Sequence, residues 1–206
     1  MKNNLLLSLP AVLALDLALP FLLAAPYRGY SHLTQAMSVL GNKKSPCHAI
    51  YNIWLAACGA AVALNSLMLR PLLAVYSKTA AAILAVILCL YAVGGCVLPA
   101  FFPVEEKKDL AGLSSRIHGY SSAAGFMLLA AAPPLVGFLA YRAGFSMLAL
   151  FSWLCFFLAI VFFTAFIMAD KPSFRHTPIA WEGLWQRLTL LFMYLPLALL
   201  CARGAQ

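Results

Sequence analysis

Six apolar runs, each about as long as a bilayer is thick, constrain this chain more than any other feature. They are Leu5–Ala25, Ile50–Leu69, Thr79–Ala100, Gly119–Tyr141, Ser146–Ala169 and Gly183–Ala202. About 20 apolar residues in an α-helix cross a hydrocarbon core of about 30 Å. With 64% hydrophobic and only 10% charged residues, the chain has too much apolar surface for one soluble core. The pattern predicts an all-α fold with one integral membrane domain over residues 1–206, a bundle of six transmembrane helices at about 5–25, 46–69, 79–100, 117–141, 146–169 and 178–202.

The first apolar run could also be a signal peptide, because "MKNN" precedes it. However, the run is longer than the apolar region of a typical signal peptide, and Pro26 occupies the position where cleavage would be expected. We therefore expect a retained membrane helix.

The basic residues give the chain a net charge of +8, yet they are scattered through the connections between helices. No run is longer than Lys43-Lys44 or Lys107-Lys108, and no groove-reading or base-stacking module accompanies them. We expect no nucleic-acid partner. Basic residues in such connections orient the chain and contact anionic head groups, so membrane lipids are the expected partners. No pattern indicates an oligomeric state.

Six spanning helices place the first, third and fifth connections, residues 26–49, 101–118 and 170–182, on one side of the membrane. We call this side the long-connection face. All four histidines and five of the six acids lie in or at the ends of these connections. The opposite side carries no acid, and its basic residues are Lys2, Arg70, Lys78, Arg142 and Arg203. The positive-inside rule therefore favours both termini in the cytoplasm, for a multi-pass protein of the inner (cytoplasmic) membrane.

The first long connection contains a polar stretch with helical spacing. Its apolar residues recur at i, i+3, i+4 and i+7, at Leu33, Ala36, Met37 and Leu40. The polar residues on the other side are Ser31, Gln35, Ser38 and Asn42. This spacing predicts a short amphipathic helix in the interface between the first two membrane helices. It would end at Gly41 in a left-handed conformation, and Ser45-Pro46 would start the second membrane helix.

Several polar side chains are then expected to meet near the long-connection face. His48 and Asn52 continue into a stripe of small residues, and His118 does the same with Ser122 and Gly125. We expect His48 and His118 to approach each other closely enough to share a water or ligand. The candidate polar binding site comprises Ser38, His48, Asn52, Asp109, His118, Glu182 and Arg187. Ordinary capping of helices at an interface remains an alternative explanation of these residues.

The stretch "YSHLTQAMSVLGNKKSPCHAIYN", the "IH" that opens the fourth segment and "GLWQRL" in the sixth resemble the domain of unknown function 998 family of polytopic prokaryotic membrane proteins. The resemblance covers nearly the whole chain. The matching positions are Ser38, Gly41, Ser45, Pro46, Asn52, His118, Gly183 and Arg187. It implies an integral membrane protein with six helices and supplies no mechanism.

Two functions remain open from the residues alone, so the sequence does not decide whether the protein is an enzyme. The first is a non-enzymatic protein that binds a lipid head group or small solute at the long-connection face, with no cofactor. The second is a membrane-embedded, zinc-dependent hydrolase built from Ser38, Asp109 and the histidines His48, His118 and His176. Three such ligands and an open position would activate a zinc-bound water. The absence of any HxxxH or HExxH spacing argues against the hydrolase.

Asp16 is the one acid inside an apolar run. It lies about 15 Å along its helix from Pro26, and Arg187 lies about 13 Å from Pro178, at 1.5 Å per residue. Because intramembrane charges generally find partners inside the bundle, we expect Asp16 and Arg187 to form an ion pair between the first and sixth helices. Cys47 and Cys96 lie near one face, where a disulfide between them is an open alternative to free thiols.

Overall fold

The computed structural model describes residues 8–104 and 112–204, and it contains helices and turns with no strand in those two ranges. Its helices are α1 (Ser8–Ala24), α2 (His48–Leu73), α3 (Lys78–Phe101), α4 (Leu113–Arg142), α5 (Ser146–Ala169) and α6 (Glu182–Gly204). The five helices α2 to α6 are long and apolar enough to cross a membrane, and α1 is apolar over 17 described residues. The protein is therefore an all-α, multi-pass membrane protein, as its apolar runs predict.

Two of the helices are irregular. In α3, the π-helical turns Ala92–Val97 separate the α-helical Lys78–Tyr91 from Leu98–Phe101. In α4, a break separates Leu113–Leu129 from Ala132–Arg142. The second part of α4 carries prolines in its first turn, where a missing N–H costs no internal hydrogen bond. These prolines explain the break.

Glycines on the small-residue stripes allow α3 to lie between α2 and α4. A Cβ added at Gly59 of α2 would lie 2.7 Å from Ala92 O, and one added at Gly125 of α4 would lie 2.6 Å from Gly95 N. Both glycines therefore pack directly on the backbone of the π-helical segment, which a larger side chain would push away. The stripes predict this close packing correctly. Because α3 intervenes, the helices that carry His48 and His118 are not packed directly on each other.

The first long connection does not contain the predicted continuous amphipathic helix. Residues 31–36 form turns, and only Met37–Gly41 is helical, as a short 3₁₀ segment. The backbone groups that a helix would pair internally are bonded elsewhere: Met37 N–H donates to Gln186 Oε1 at 2.6 Å, and Leu184 N–H donates to Leu33 O at 3.0 Å. Tertiary hydrogen bonds to the start of α6 thus replace the local ones.

The predicted end at Gly41 is wrong, and the next helix starts two residues later than predicted. Gly41 is not left-handed, because Gly29 and Gly144 are the residues with positive φ in the described ranges. Instead Gly41 lies against α2, where Asn52 Nδ2 donates to Gly41 O at 3.1 Å. The helix α2 begins at His48 rather than at Pro46.

Candidate binding cavity

The main feature of the bundle is a cavity of about 330 Å³ to which all six helices contribute. Its polar lining residues cluster toward the long-connection face and are Ser38, Ser115, His118, Ser122, Asp170, Glu182 and Gln186. Asp16 lies deeper, eight residues before the end of α1, or about 12 Å along that helix. The long connections close over this end, where Asn42 Nδ2 donates to Val104 O at 2.9 Å. The cavity is therefore polar at one face and enters the membrane-spanning part of the bundle.

At its deep end, three helices place hydroxyl and carboxyl groups together. Tyr194 of α6 donates a hydrogen bond from its hydroxyl to Asp16 Oδ2 at 3.0 Å. The Tyr194 hydroxyl is also hydrogen-bonded to the hydroxyl of Tyr91 in α3. Asp16 is 5% exposed, and both Asp16 and Tyr91 line the cavity. The intramembrane acid thus accepts a hydrogen bond from one hydroxyl at the bundle interior, and that hydroxyl is in turn bonded to a second one.

The expected ion pair between Asp16 and Arg187 is not formed. The helices α1 and α6 are neighbours, as expected, but α6 begins at Glu182 because Pro178–Ala180 forms a separate 3₁₀ turn. This shift places Arg187 in the second turn of α6. Asp16 instead contacts Tyr194, which lies seven residues farther along the helix, or about 10 Å.

Arg187 instead fastens the first connection to α6. Its Nη1 donates to His32 O at 2.9 Å and to Gly183 O at 2.8 Å, and its Nη2 donates to the Tyr30 hydroxyl at 2.9 Å. Its guanidinium also lies 5.4 Å from the centre of the Phe21 ring. These contacts hold the connection in the position that brings Ser38 to the cavity wall.

The ionisable neighbours of Arg187 in the connection are held in their neutral forms. Arg187 Nη2 lies 3.1 Å from His32 Nδ1, and since a guanidinium can only donate, this nitrogen must be the acceptor. Burial, followed by the Arg187 charge, lowers the pKa of His32. Burial raises the pKa of Tyr30, although Arg187 opposes that shift. Both effects favour the hydrogen-bonded, uncharged side chains.

An aromatic wall borders the cavity between α4 and α5. The first part of α4 packs its backbone on α3, and side chains link it to α5: Phe126 stacks on Phe163 and on Phe166, each with ring centres 6.2 Å apart. Beside this wall, Met127 and Ile167 line the cavity while remaining 58% and 54% exposed. The cavity therefore reaches the lipid-facing surface between these two helices.

The candidate residues divide between the cavity and other positions. Ser38, His118 and Glu182 line it, whereas His48, Asn52 and Arg187 bond to backbone carbonyls outside it. His118 Nδ1 lies 3.0 Å from Phe102 O, and His48 Nδ1 lies 3.0 Å from Ser45 O. The imidazoles of His48 and His118 are thus hydrogen-bonded to different parts of the backbone, and no contact joins the two rings within the described ranges.

The residues of the zinc alternative are not brought together in the part of the chain that the structure describes. Asp109 lies outside the described residues, and His176 is exposed in the connection before α6. Within residues 8–104 and 112–204, no three His, Cys, Asp or Glu side chains are close enough to hold a metal ion. All six thiols are free, so Cys47 and Cys96 form no disulfide. Cys96 is instead buried beside Gly59 of α2.

The model of a family described as "Protein of unknown function (DUF998)" matches residues 10–203, which is nearly the whole chain. The chain belongs to the DUF998 family. No curated protein and no solved structure gives a significant match.

Several residues that shape the cavity of this DUF998 protein escape sequence reasoning. Tyr91 and Tyr194 lie inside apolar runs, where they look like ordinary aromatic side chains. A signal for them exists, because a buried tyrosine hydroxyl needs a hydrogen-bond partner, and Asp16 is the acid at membrane depth that could supply one. Asp170 and Gln186 carry no motif that distinguishes them from other polar residues at helix ends.

Proposed function

We propose that this protein binds an amphiphilic molecule carried in the membrane. The head group lies among the polar side chains of the cavity, from Ser38 and His118 at the long-connection face down to Asp16, and the apolar part lies along the aromatic wall between α4 and α5. The observation that carries this proposal is a cavity of about 330 Å³ with polar groups at one end and the exposed Met127 and Ile167 at its membrane side.

The membrane side of the cavity explains how such a ligand enters. The contact between the first part of α4 and α5 depends on the stacked rings of Phe126, Phe163 and Phe166. Phe126 is buried, but Phe163 and Phe166 are only half-buried, and exposed side chains change rotamers within picoseconds to nanoseconds. A lipid-like molecule can therefore pass between these helices without separation of the bundle.

The polar end must supply the selectivity. An acyl chain that leaves the bilayer for an apolar cavity gains no hydrophobic free energy, because lipid tails are as apolar as the cavity wall. Contacts between the head group and polar side chains such as Ser38, His118 and Gln186 are worth about 0.5–1.5 kcal/mol each, and more if the head group is charged. Ligands are therefore distinguished by their head groups.

We place the protein in the cytoplasmic membrane with both termini in the cytoplasm. The short connection after α4 and the end of α6 support this orientation, because they carry Arg142 and Arg203 with no acid nearby in sequence. A reporter fused to the carboxyl terminus that is active only in the cytoplasm tests the orientation. An active reporter supports it, and an inactive but stably produced reporter contradicts it.

Neighbouring alanines provide a matched test of binding. Ala123 and Ala124 are both exposed on α4, but Ala123 lines the cavity and Ala124 does not. Native mass spectrometry of the purified protein should show one retained amphiphile. Ala123→Phe should remove it by filling the cavity, and Ala124→Phe should leave it bound. Retention in both variants, or absence of any amphiphile from the wild type, contradicts the proposal.

A further inference from the structure

The cavity differs in charge from the rest of the chain. The protein has 14 Lys and Arg and six Asp and Glu, with a net charge of +8. Yet Asp16, an acid inside an apolar helix, lines the cavity, and the described lining residues include no Lys or Arg. We propose that the cavity selects an organic cation, an ammonium group on an apolar body, and that Asp16 is the anion that pairs with it. This inference rests on the proposed function and names the ligand class.

Asp16 has the position that such a partner requires. It is nearly buried, it borders the cavity, and its hydrogen-bond donor is the neutral hydroxyl of Tyr194. Arg187, the cation that the sequence led us to expect beside Asp16, is bonded to Tyr30 and His32 instead. A buried carboxylate without a cation costs several kcal/mol. The carboxyl group of the unliganded cavity is therefore protonated, and a bound ammonium group replaces that proton.

The side chains that surround Asp16 do not themselves exchange a proton with the bound ammonium group. Trp54, Cys58 and Tyr51 face it from α2, Tyr91 from α3 and Tyr194 from α6. These side chains are an indole, a thiol and three phenols, and none of them is a base that could take the proton instead. The exchange is then balanced: the carboxylic acid releases one proton to solvent, and the carboxylate pairs with the incoming ammonium ion.

The aromatic lining suits the same ligand. Tyr91 and Phe126 meet edge to face with ring centres 6.4 Å apart, and both line the cavity. A cation near the face of such rings gains about 0.5–2 kcal/mol, most where water is excluded. Anionic head groups gain nothing from these faces, and the described lining residues offer them no Lys or Arg. The cavity thus discriminates by charge sign.

Two probes of equal length and opposite charge test the inference. Decyltrimethylammonium and decanesulfonate, each carrying a photoreactive diazirine on the chain, are cross-linked to the purified protein, and the adducts are mapped by mass spectrometry. The ammonium probe should label α4 and α5 near Met127 and Ile167, and the sulfonate should label them at least tenfold less. Below the pKa of Asp16, the affinity for the ammonium probe should fall about tenfold per pH unit, since one proton competes with one cation.

Substitutions identify the carboxyl group responsible. Asp16→Asn should weaken ammonium binding at least tenfold and remove its pH dependence. Asp170→Asn removes the same charge at the rim and should keep the pH dependence. If Asp16→Asn does not fold, the comparison of the two probes and the pH dependence of the wild type still decide the question.

The outcomes separate the two proposals. Equal labelling by both probes, or preference for the sulfonate, overturns cation selection while the amphiphile site stands. Labelling of the cavity by neither probe, together with the absence of a retained amphiphile, overturns both. The ammonium group could belong to a lipid head group or to a free lipophilic amine. Competition with phosphatidylethanolamine and with decylamine distinguishes these sources, and displacement by either supports the inference.

Discussion

Replacing Arg187 by glutamine should destabilise the protein by releasing the first long connection from α6. Arg187 makes three short charge-assisted hydrogen bonds to that connection, to His32 O at 2.9 Å, to the Tyr30 hydroxyl at 2.9 Å and to His32 Nδ1 at 3.1 Å, and a longer one to Gln35 O at 3.5 Å. Hydrogen bonds to a charged group contribute about 1.5–3 kcal/mol each. Because part of this is regained by contacts with water or the glutamine amide, we expect a net loss of about 3–5 kcal/mol.

Thermal unfolding of the purified protein measures this loss. For a chain of this size about 1 kcal/mol corresponds to 2–4 °C, so the Tm should fall by about 10 °C. Hydrogen exchange should accelerate at the amide of Met37, which donates to Gln186 in the same contact. Arg203→Gln is the matched control, because Arg203 is exposed near the end of α6. If both variants unfold within about 2 °C of the wild type, Arg187 does not hold the connection and the reasoning is refuted.

Three further predictions follow from other contacts. Gly125→Ala should lower the free energy of unfolding by about 1–3 kcal/mol, because the added Cβ would lie 2.6 Å from Gly95 N. The control Ala124→Val, at an exposed position of the same helix, should have little effect. Equal Tm values for the two variants would contradict the packing. His32 has a lowered pKa in the folded protein because of burial and the Arg187 charge, so the unfolded chain takes up its proton first. The stabilising contribution of neutral His32 is present above about pH 6.5 and is lost as the pH falls below that value. Thermal scans from pH 7.5 to 5 should therefore show a decline in Tm that is smaller in His32→Asn. An identical decline in that variant would contradict this role of His32. All six cysteines should be alkylated after unfolding without reductant, whereas a mass that required prior reduction would show a disulfide.

The helices could be predicted because their signal is local. The length of each apolar run and the prolines and small residues within it depend on neighbours in sequence, and α5 spans the predicted residues 146–169. The close approach of Gly59 and Gly125 to a neighbouring backbone follows from the same local pattern. Helix boundaries were less accurate, as the late start of α6 at Glu182 shows.

The site could be predicted only in part, because tertiary contacts override local patterns. The amphipathic spacing of residues 31–41 predicts a helix, but Gln186 and Arg187 take up the backbone groups on which that helix would depend. The partner of Asp16 depends on the relative depth of two helices, and Tyr194 lies seven residues, or about two turns, beyond the expected Arg187 in α6. Side-chain charge identifies Asp16 as important, whereas only the packed bundle shows which groups face it.

An experimental structure of the protein in nanodiscs of its native membrane tests the central claim most directly. The account predicts elongated non-protein density in the cavity, with its head group between Ser38, His118 and Asp16 and its apolar part along Phe126 and Phe166 between α4 and α5. A cavity that holds only water, with lipid density confined to the outer surface of the bundle, would contradict the account.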